Sequence, residues 1–387
     1  MSNTLGNYDP QFYANEALIH LQKALGMAGR VHRGYDATPQ QKGSTINITR
    51  PSTFTATDVN TSTGGTTATL EPENIQIELD TWKEVKFALT DKELTFTKEK
   101  IITDHISPAA YALADAIDQS LCKLYKKIPW TSSITATPAV TDITNARKVL
   151  FNNKVPMGNR LHMMVDGAVE AGLLALSAFA TTSGSGAAGE EAQLRGTLGT
   201  RYGFEVFANQ NVQEHTSGTA ADTAGALNAA IAAGDTEFVV KSLTDGQAFK
   251  IGDVLTISGD DQKYVLTADA TVASNSITAK VYPAIQAAAD EDTVVTMVLP
   301  SGSGLAKNQC LAYHEHAFAL AMAPLSTIGA EVGARIASAI DPVSGITLRS
   351  RMWYDGDTST VKIGLDALWG VKCLNPNLAV RCIQAAG

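Results

Sequence analysis

The chain has 387 residues, of which 44% are hydrophobic and 18% charged, and its formal net charge is −9 at pH 7. This length predicts two or three compact units, since domains commonly hold roughly 100 to 200 residues, and the composition excludes a chain that is disordered throughout. The most apolar window, at 171–180, is about half as long as the roughly 20 residues of a transmembrane helix, which excludes a helical membrane protein.

The cysteines and the first residues indicate where the protein is made. Cys122, Cys310, Cys373 and Cys382 form no CxxC pair and no dense framework, so we expect them to be reduced and buried. The opening residues have neither a basic start nor an apolar run, so no secretory signal is expected. Both observations are typical of synthesis in the cytoplasm.

Acidic residues are concentrated at 217–304. This segment holds eleven aspartates and glutamates against four lysines, a balance of −7, so the rest of the chain carries only −2. Because an acidic surface is repelled by nucleic acid, we expect the segment to face solvent rather than DNA.

The first predicted element is a short amphipathic helix at 15–30, with Asn15 as its cap. Basic residues slightly outnumber acidic ones around it, which indicates either a solvated helix face or an arm that touches a polyanion. Residues 44–90 then predict one long hairpin, because apolar and polar residues alternate on both sides of an uncharged, threonine-rich tip at 61–69. The phase of the alternation shifts after Leu79, which predicts a bulge or bend at 80–83.

A long helix follows the hairpin. Ser107 and Pro108 are a strong start signal, and apolar residues then recur every three or four positions until Ile128 and Pro129, which end the helix. About six turns give a rod of roughly 30 Å.

The next region predicts alternating helices and strands. Helices are expected at 142–151 and 167–179, and strands at 160–165 and 204–207. The sequence pattern changes at 235–299, where five short β-rich runs separated by turn signals predict a small antiparallel barrel or sandwich.

The ends of the acidic segment predict an inserted domain. Small, flexible residues at 217–219 and 301–304 are typical borders of an insertion whose ends lie close together. After it, residues 312–324 predict one strand, and 345–368 predict a hairpin that turns at Asp355 and Gly356.

Motifs for catalysis or cofactor binding are weak. Gly184, Gly186 and Gly189 form a literal GxGxxG, but it follows a helix, and Glu190 and Glu191 after it would repel a pyrophosphate, so we interpret it as a flexible loop. Asp260 and Asp261 lie in a predicted turn, where aspartate is favoured for its hydrogen bonds to the backbone.

His314 and His316 flank Glu315 on a predicted strand, so both imidazoles would share one face. They are either two hydrogen-bonded histidines at a packed or intersubunit face or two zinc ligands, although no third ligand is signalled nearby. We predict no catalytic residue, no cofactor and no metal site.

The order of these parts carries a resemblance. The segments at 1–21, 209–213, 311–325 and 366–383 (MSNTLGNYDPQFYANEALIHL, NQNVQ, LAYHEHAFALAMAPL and DALWGVKCLNPNLAVRCI) are similar to the coat protein family of short-tailed Salmonella phages. Over essentially its whole length, the chain resembles the major capsid protein of tailed bacteriophages.

The resemblance implies an α+β fold of the tailed-phage major capsid type, with an inserted, barrel-like all-β domain. The implied divisions are an N-arm at 1–40, an extended hairpin loop at 41–95, a peripheral domain with the long spine helix at 96–139, an axial domain at 140–216 and 305–340, the inserted domain at 217–304, and return strands of the peripheral domain at 341–387.

The implied function is structural. Such proteins form pentamers and hexamers around a scaffolding protein, and the icosahedral shell expands while double-stranded DNA is packaged. The implied partners are further copies of the chain, scaffolding protein, portal protein, DNA held non-specifically on the inner surface and, in some shells, a decoration protein, with no membrane. The implied location is the virion capsid, assembled in the host cytoplasm.

An isolated two-stranded hairpin is marginal in water, so we expect an adjacent subunit to cover the long hairpin. The candidate intersubunit contacts are Ile46, Ile48, Ile75, Ile77, Leu79 and Trp82. Some shells of this fold are cross-linked through a lysine in the hairpin, but no lysine lies between Lys42 and Lys83, so no such bond is expected.

Two other classes of function remain open. One is a surface-binding or decoration module in which the β insertion is an adhesin-like domain. The other is a hydrolase that uses His314 and His316 with a distant carboxylate.

Overall fold

The structure is a computed structural model that describes residues 10–33, 45–50, 73–90, 105–158, 160–181, 187–220, 224–326, 335–340 and 346–384. It divides into two compact units. The first comprises Met1–Ala24, Arg33–Ala114 and Leu320–Lys372, and the second comprises Leu25–His32, Asp115–Ala319 and Cys373–Gly387.

The helices are α1 (Pro10–Ala24), α2 (Ser107–Cys122), α3 (Val140–Asn152), α4 (Gly167–Leu174), α5 (Ser177–Ala180) and α6 (Ala187–Arg195), with 3-10 turns at Ala28–Arg30, Lys123–Lys127, Glu315–Ala317 and Pro376–Leu378. The strands are β1 (Thr45–Arg50), β2 (Glu73–Glu78), β3 (Thr81–Thr90), β4 (Thr131–Ile134), β5 (Leu161–Val165), β6 (Gly199–Arg201), β7 (Phe204–Ala208), β8 (Glu214–Thr216), β9 (Ala224–Leu227), β10 (Glu237–Lys241), β11 (Ala248–Phe249), β12 (Val254–Ile257), β13 (Lys263–Leu266), β14 (Ala270–Thr271), β15 (Ser276–Tyr282), β16 (Val294–Val298), β17 (Ala306–His314), β18 (Phe318–Ala323), β19 (Arg335–Ile340), β20 (Thr347–Asp355), β21 (Thr360–Cys373) and β22 (Ala379–Gln384).

The first unit is built on a five-stranded sheet in the order β18-β21-β20-β19, with β3 also paired to β21. Helix α1 packs against β19 and β20, and its buried positions, Tyr13, Ala17 and Leu21, recur every four residues along one face. The predicted hairpin at 345–368 is confirmed, because β20 and β21 pair from Arg349 with Asp366 to Asp355 with Thr360.

Helix α1 begins earlier than predicted. Its first residue is Pro10, a residue favoured at the first helical position, and Asn15 lies inside the helix, where it accepts a hydrogen bond from Gln11 Nε2 at 3.2 Å. Because Asn15 lies inside the helix, the predicted cap at Asn15 is wrong. The helix ends at Ala24, two residues before Gly26.

Helix α2 begins at Ser107, as predicted, but the two residues before it are already helical, so Ser107 does not act as a cap. The last predicted turn is a 3-10 turn at Lys123–Lys127, and Ile128 is extended before Pro129, the residue predicted to stop the helix.

The predicted hairpin at 44–90 divides at its predicted bend. Strands β1 and β2 pair with each other, whereas β3, after a break at Leu79 and Asp80, pairs with β21 over its whole length. The tip at 61–69 lies outside the described residues.

The second unit contains a mixed sheet in the order β4-β22-β17-β5-β7-β6, with β8 also paired to β17. The predicted helix at 167–179 is two helices, α4 and α5. The last strand, β22, lies between β4 and β17 in this sheet, and the predicted domain divisions, including the return strands at 341–387, stay predictions.

Six strands of the second unit close into a barrel in the order β10-β15-β13-β12-β16-β9. Inward-facing side chains such as Phe238, Leu255, Tyr264 and Met297 fill its interior. The prediction of a small antiparallel barrel or sandwich at 235–299 is therefore confirmed as a barrel. Strand β9, which closes it, precedes the predicted range.

All four cysteines are free and buried, as predicted.

Candidate interaction surfaces

The six predicted contact residues differ in how much surface they present. Ile46, Ile77 and Leu79 are buried within the subunit itself, so they offer almost no side-chain surface to a neighbour in this conformation. Trp82 is 57% exposed, and Ile48 and Ile75 are partly buried. An intersubunit role of the predicted contacts stays a prediction, and it depends on Trp82, Ile48 and Ile75, which keep exposed surface.

The base of the hairpin is covered by its own subunit. A Cβ atom built on Gly370 of β21 would lie 2.1 Å from the carbonyl oxygen of Glu78 and 3.1 Å from Ile77 Cγ2. Only glycine permits this close approach of the two backbones. A neighbouring subunit is therefore not needed to bury Ile77, contrary to our expectation for the whole hairpin.

The indole ring of Trp82 is held by a hydrogen bond at its nitrogen, while much of the ring is exposed to solvent. Its Nε1 donates a hydrogen bond to Asp366 Oδ2 at 3.1 Å, and Asp366 is completely buried. Arg349 binds the same carboxylate through two bonds, of 3.0 Å from Nε to Oδ1 and 2.6 Å from Nη2 to Oδ2. A buried pair with this bidentate geometry holds β3, β20 and β21 in register and orients the exposed part of the indole.

Strand β3 is an edge strand among the described residues. There it pairs only with β21, over its whole length of ten residues. Lys83, Glu84 and Lys86 are exposed along it. Charged side chains on an edge strand oppose unselective edge-to-edge pairing, so a partner here would have to match them.

A buried polar network joins the barrel to the α/β sheet within the second unit. His215 Nε2 lies 3.1 Å from Asp253 Oδ1, and the hydroxyl of Tyr125 lies 3.3 Å from His215 Nδ1. The other oxygen of Asp253 accepts bonds from the backbone N–H groups of Gly218 at 3.0 Å and Lys250 at 2.8 Å. Burial is the largest influence on His215 and lowers its pKa below the usual value.

Arg381 completes this network, which we call the barrel joint and define as Tyr125, His215, Asp253, Gln309 and Arg381. The guanidinium of Arg381 is fully buried and donates to Gln309 Oε1 from Nε at 2.9 Å and from Nη2 at 2.8 Å. Its Nη1 donates to the carbonyl oxygen of Gly252 in the barrel at 2.6 Å.

Sequence reasoning missed the barrel joint. Its residues come from five distant segments and share no spacing, and their contacts exist only once β8, β17 and β22 are placed beside the barrel. Such a network fixes the orientation of the barrel, because any rotation would leave buried charged groups without partners.

His314 and His316 do not lie on one strand. Strand β17 ends at His314 and the chain makes a 3-10 turn at Glu315–Ala317, so the prediction of a single strand at 312–324 is wrong. The turn arises without glycine or proline; the N–H of His316 donates to His314 Nδ1 at 3.2 Å and stabilises it. Within the described part of the chain, no group of three or more His, Cys, Asp or Glu side chains is arranged to hold a metal ion.

An open polar cavity of about 460 Å³ lies beside this turn, lined by Gly29, Arg30, Arg160, His162, Glu205 and Glu315. The donors of Arg30 are occupied, since it binds Glu205 Oε1 from Nε at 2.8 Å and from Nη2 at 2.7 Å, and the carbonyl oxygen of Gly26 from Nη1 at 3.0 Å. The positive charges are matched by Glu205 and Glu315, so the cavity has little capacity to bind an anion.

The other predicted motifs occupy structural positions. Asp260 accepts a hydrogen bond from the N–H of Gln262 at 2.9 Å and another from Tyr264, which fits the predicted turn. Gly189 lies in α6, whereas Gly184 and Gly186 lie outside the described residues.

Comparison with known proteins rests on the fold. No family model and no curated protein matches the sequence. A solved structure from Mycobacterium phage Che8 superposes with a TM-score of 0.50 at 16% identity, covering 92% of this chain and 90% of that chain. The fold is shared with a phage protein.

Two further matches have lower TM-scores. They are a capsid structure of the cyanophage P-SCSP1u (TM-score 0.48, 9% identity, covering 92% of this chain and 86% of that chain) and the asymmetric unit of the mature capsid of bacteriophage PhiM1 (TM-score 0.48, 12% identity, 90% and 84%). None of the helices in the described ranges has the length and hydropathy of a transmembrane segment.

Proposed function

We propose that the chain is the coat subunit of a phage shell. The observation that carries this proposal is the fold shared with the Mycobacterium phage Che8 structure over at least nine-tenths of both chains. The resemblance of four sequence segments to the coat proteins of short-tailed Salmonella phages supports the same function independently, although that particular family stays a prediction. The role is structural rather than enzymatic.

In this proposal, copies of the chain form pentamers and hexamers around a scaffolding protein, and the icosahedral shell expands during packaging of double-stranded DNA. Portal protein and, in some shells, a decoration protein are further partners. Assembly takes place in the host cytoplasm, and the mature location is the virion capsid.

Two surface features support the proposal. The exposed ring of Trp82 lies on β3, an edge strand within the described ranges, and a tryptophan that becomes buried at an interface is typically among its strongest contacts. Acidic side chains outnumber lysines at 217–304, and Glu237, Asp245, Asp261 and Glu291 among them are exposed. Such an acidic surface would keep the barrel away from packaged DNA, which contacts the shell non-specifically elsewhere.

Electron microscopy of the purified protein, alone and with a scaffolding protein of the same phage, tests this function. We expect closed particles of uniform size, whereas a small oligomer of fixed size under all conditions would contradict the proposal.

Trp82→Ala should abolish particles while the subunit remains folded by circular dichroism, because it removes the exposed ring.

Trp82→Phe is the matched control for that variant. Both substitutions remove the hydrogen bond to Asp366, but phenylalanine keeps an aromatic ring at the surface, so it should still form particles. Equal assembly of both variants would remove Trp82 from the interface, and equal failure of both would attribute the effect to the lost hydrogen bond.

A further inference from the structure

Four of the seven histidines in the chain gather in one cluster of the second unit. The ring of His32 lies 4.7 Å from that of His316, which lies 5.3 Å from that of His314, measured between centroids. His162 lies nearby on β5, with its ring 5.6 Å from that of Tyr313. We call His32, His162, His314 and His316 the histidine cluster.

The cluster lies where one chain segment is tied to a turn. The segment Leu25–His32 follows α1, and the N–H of His32 lies 3.1 Å from the carbonyl oxygen of Glu315 and 3.2 Å from that of Phe318. These bonds hold the end of the segment against the turn between β17 and β18.

The hydrogen bonds of His314 and His316 require neutral imidazoles. Nη1 of Arg160 lies 3.3 Å from His316 Nε2, and an arginine can only donate, so this ring nitrogen must carry no proton. The backbone N–H of His316 likewise donates to His314 Nδ1 at 3.2 Å. Protonation of either ring at these atoms turns an acceptor into a donor that faces another donor.

The charges around the cluster act in both directions on the protonation of its rings. Glu205 is bound by Arg30, and Glu315 lies 3.5 Å from Arg160, so each carboxylate already has a cationic partner. Burial is the main cause that lowers the pKa of His32, His162 and His314. For His32 and His314, neighbouring His316 lowers the pKa further and Glu315 raises it; Arg160 lowers both, and His162 also lowers that of His314.

The pKa of His162 is set by a similar balance, since Glu205 and Glu315 raise it and Arg30 lowers it, against the larger effect of burial. Nδ1 of His162 lies 3.0 Å from Glu205 Oε2, and its ring lies 5.6 Å from the ring of Tyr313.

We propose that the histidine cluster is a proton-operated latch, which holds His32, the last residue of the segment 25–32, on the turn 314–318 at neutral pH and releases it on acidification, while Asp118 still accepts the N–H groups of Gly26 and Ala28. The latch does not depend on the proposed capsid function, because it is a property of the folded subunit. Its direction follows from the pKa shifts. A histidine whose pKa is lower in the folded state stabilises that state fully above about pH 6.5, and this contribution is lost as the pH falls below that value.

Hydrogen exchange of the full-length protein tests the latch at pH 7.5 and pH 5.0, with protection factors corrected for the intrinsic pH dependence of exchange. We expect protection of the amides of His32 and His316 to fall about tenfold or more at pH 5.0, because the bonds of His32 to the turn and of His316 to His314 Nδ1 are lost. Amides of barrel strands such as β12 should keep their protection.

A double variant, His314→Asn with His316→Gln, separates titration from packing. The Oδ1 of asparagine and the Oε1 of glutamine stand where Nδ1 and Nε2 accept hydrogen bonds, but neither amide is protonated in this range. Its protection at the same amides should fall by less than about threefold. His20→Gln, which removes a histidine outside the cluster, should behave as the wild type.

Unchanged wild-type protection between the two pH values would overturn the latch. An equal loss of protection in the wild type and in the folded double variant would overturn it as well. If circular dichroism shows that the double variant is unfolded at pH 7.5, the wild-type comparison and NMR titration of the imidazoles decide. Exchange that increases without titration of His314 or His316 would then contradict the proposal.

Discussion

The barrel and the hairpin are both antiparallel β-structures, but they satisfy their edges in different ways. The barrel closes on itself, so each of its six strands pairs on both sides and its apolar side chains face a common interior. The hairpin has two strands of six described residues each, and its continuation β3 is an edge strand within the described part of the chain.

This difference separates two sources of stability. The barrel depends on its own closed core, whereas the base of the hairpin depends on β21, which covers Ile77 through the glycine at position 370. A region that is stable only against another element can exchange that element for another surface, which would suit the proposed coat subunit. The barrel can keep its structure throughout such a change.

The largest expected effect concerns fragments of the chain. Residues 217–304 expressed alone should fold, giving a cooperative thermal transition and dispersed amide resonances, because the closed core lies entirely within them. Residues 44–91 expressed alone should show neither, since an isolated two-stranded hairpin is marginal in water. An unfolded barrel fragment would show that the barrel joint is required for folding and would contradict the claim that the barrel depends on its own closed core.

Sequence patterns predicted the barrel well where side chains alternate and poorly where they do not. Strand β10, Glu237–Lys241, alternates and lies in the predicted range 235–299, whereas strand β9, with the sequence Ala-Gly-Ala-Leu, has no strand propensity to detect. Closure of the barrel requires glycine at position 225, because a Cβ atom there would lie 2.6 Å from Val240 Cγ1 and 2.8 Å from the carbonyl oxygen of Lys241.

The candidate surfaces were predicted less completely. Alternation placed Ile77 on an apolar face but could not decide whether its own subunit or a neighbour covers that face. The exposed Trp82 was detectable as a residue out of phase, whereas its bond to Asp366 joins positions 284 residues apart. The barrel joint and the histidine cluster likewise join distant segments, which no local pattern encodes.

The next effect concerns the buried carboxylate of the first unit. Asp366→Ala should destabilise that unit by about 3 to 5 kcal/mol, because it leaves Arg349 buried without its carboxylate. Urea denaturation monitored by hydrogen exchange checks this, and barrel amides should stay protected at concentrations that expose β3 and β20. Asp357→Ala, in the exposed turn between β20 and β21, should change stability by less than about 0.5 kcal/mol. Equal effects of the two variants would mean that the pair contributes nothing.

The smallest effect tests the cover of the hairpin directly, through two glycines of the same strand. Gly370→Ala should destabilise the first unit by about 1 to 3 kcal/mol, because its methyl group would lie 2.1 Å from the carbonyl oxygen of Glu78 and force the hairpin away from β21.

Gly364→Ala is the matched control, since its methyl group would meet only Trp353 and Lys86 side-chain atoms at 3.6 to 3.8 Å, an ordinary contact distance. That variant should be neutral or stabilising by up to about 1 kcal/mol, because alanine loses less backbone freedom than glycine on folding. Denaturation midpoints of the two variants and of the wild type measure the difference. If Gly370→Ala were as stable as Gly364→Ala, the hairpin would not rest on β21, and cover by a neighbouring subunit would again be the simplest explanation for a buried Ile77.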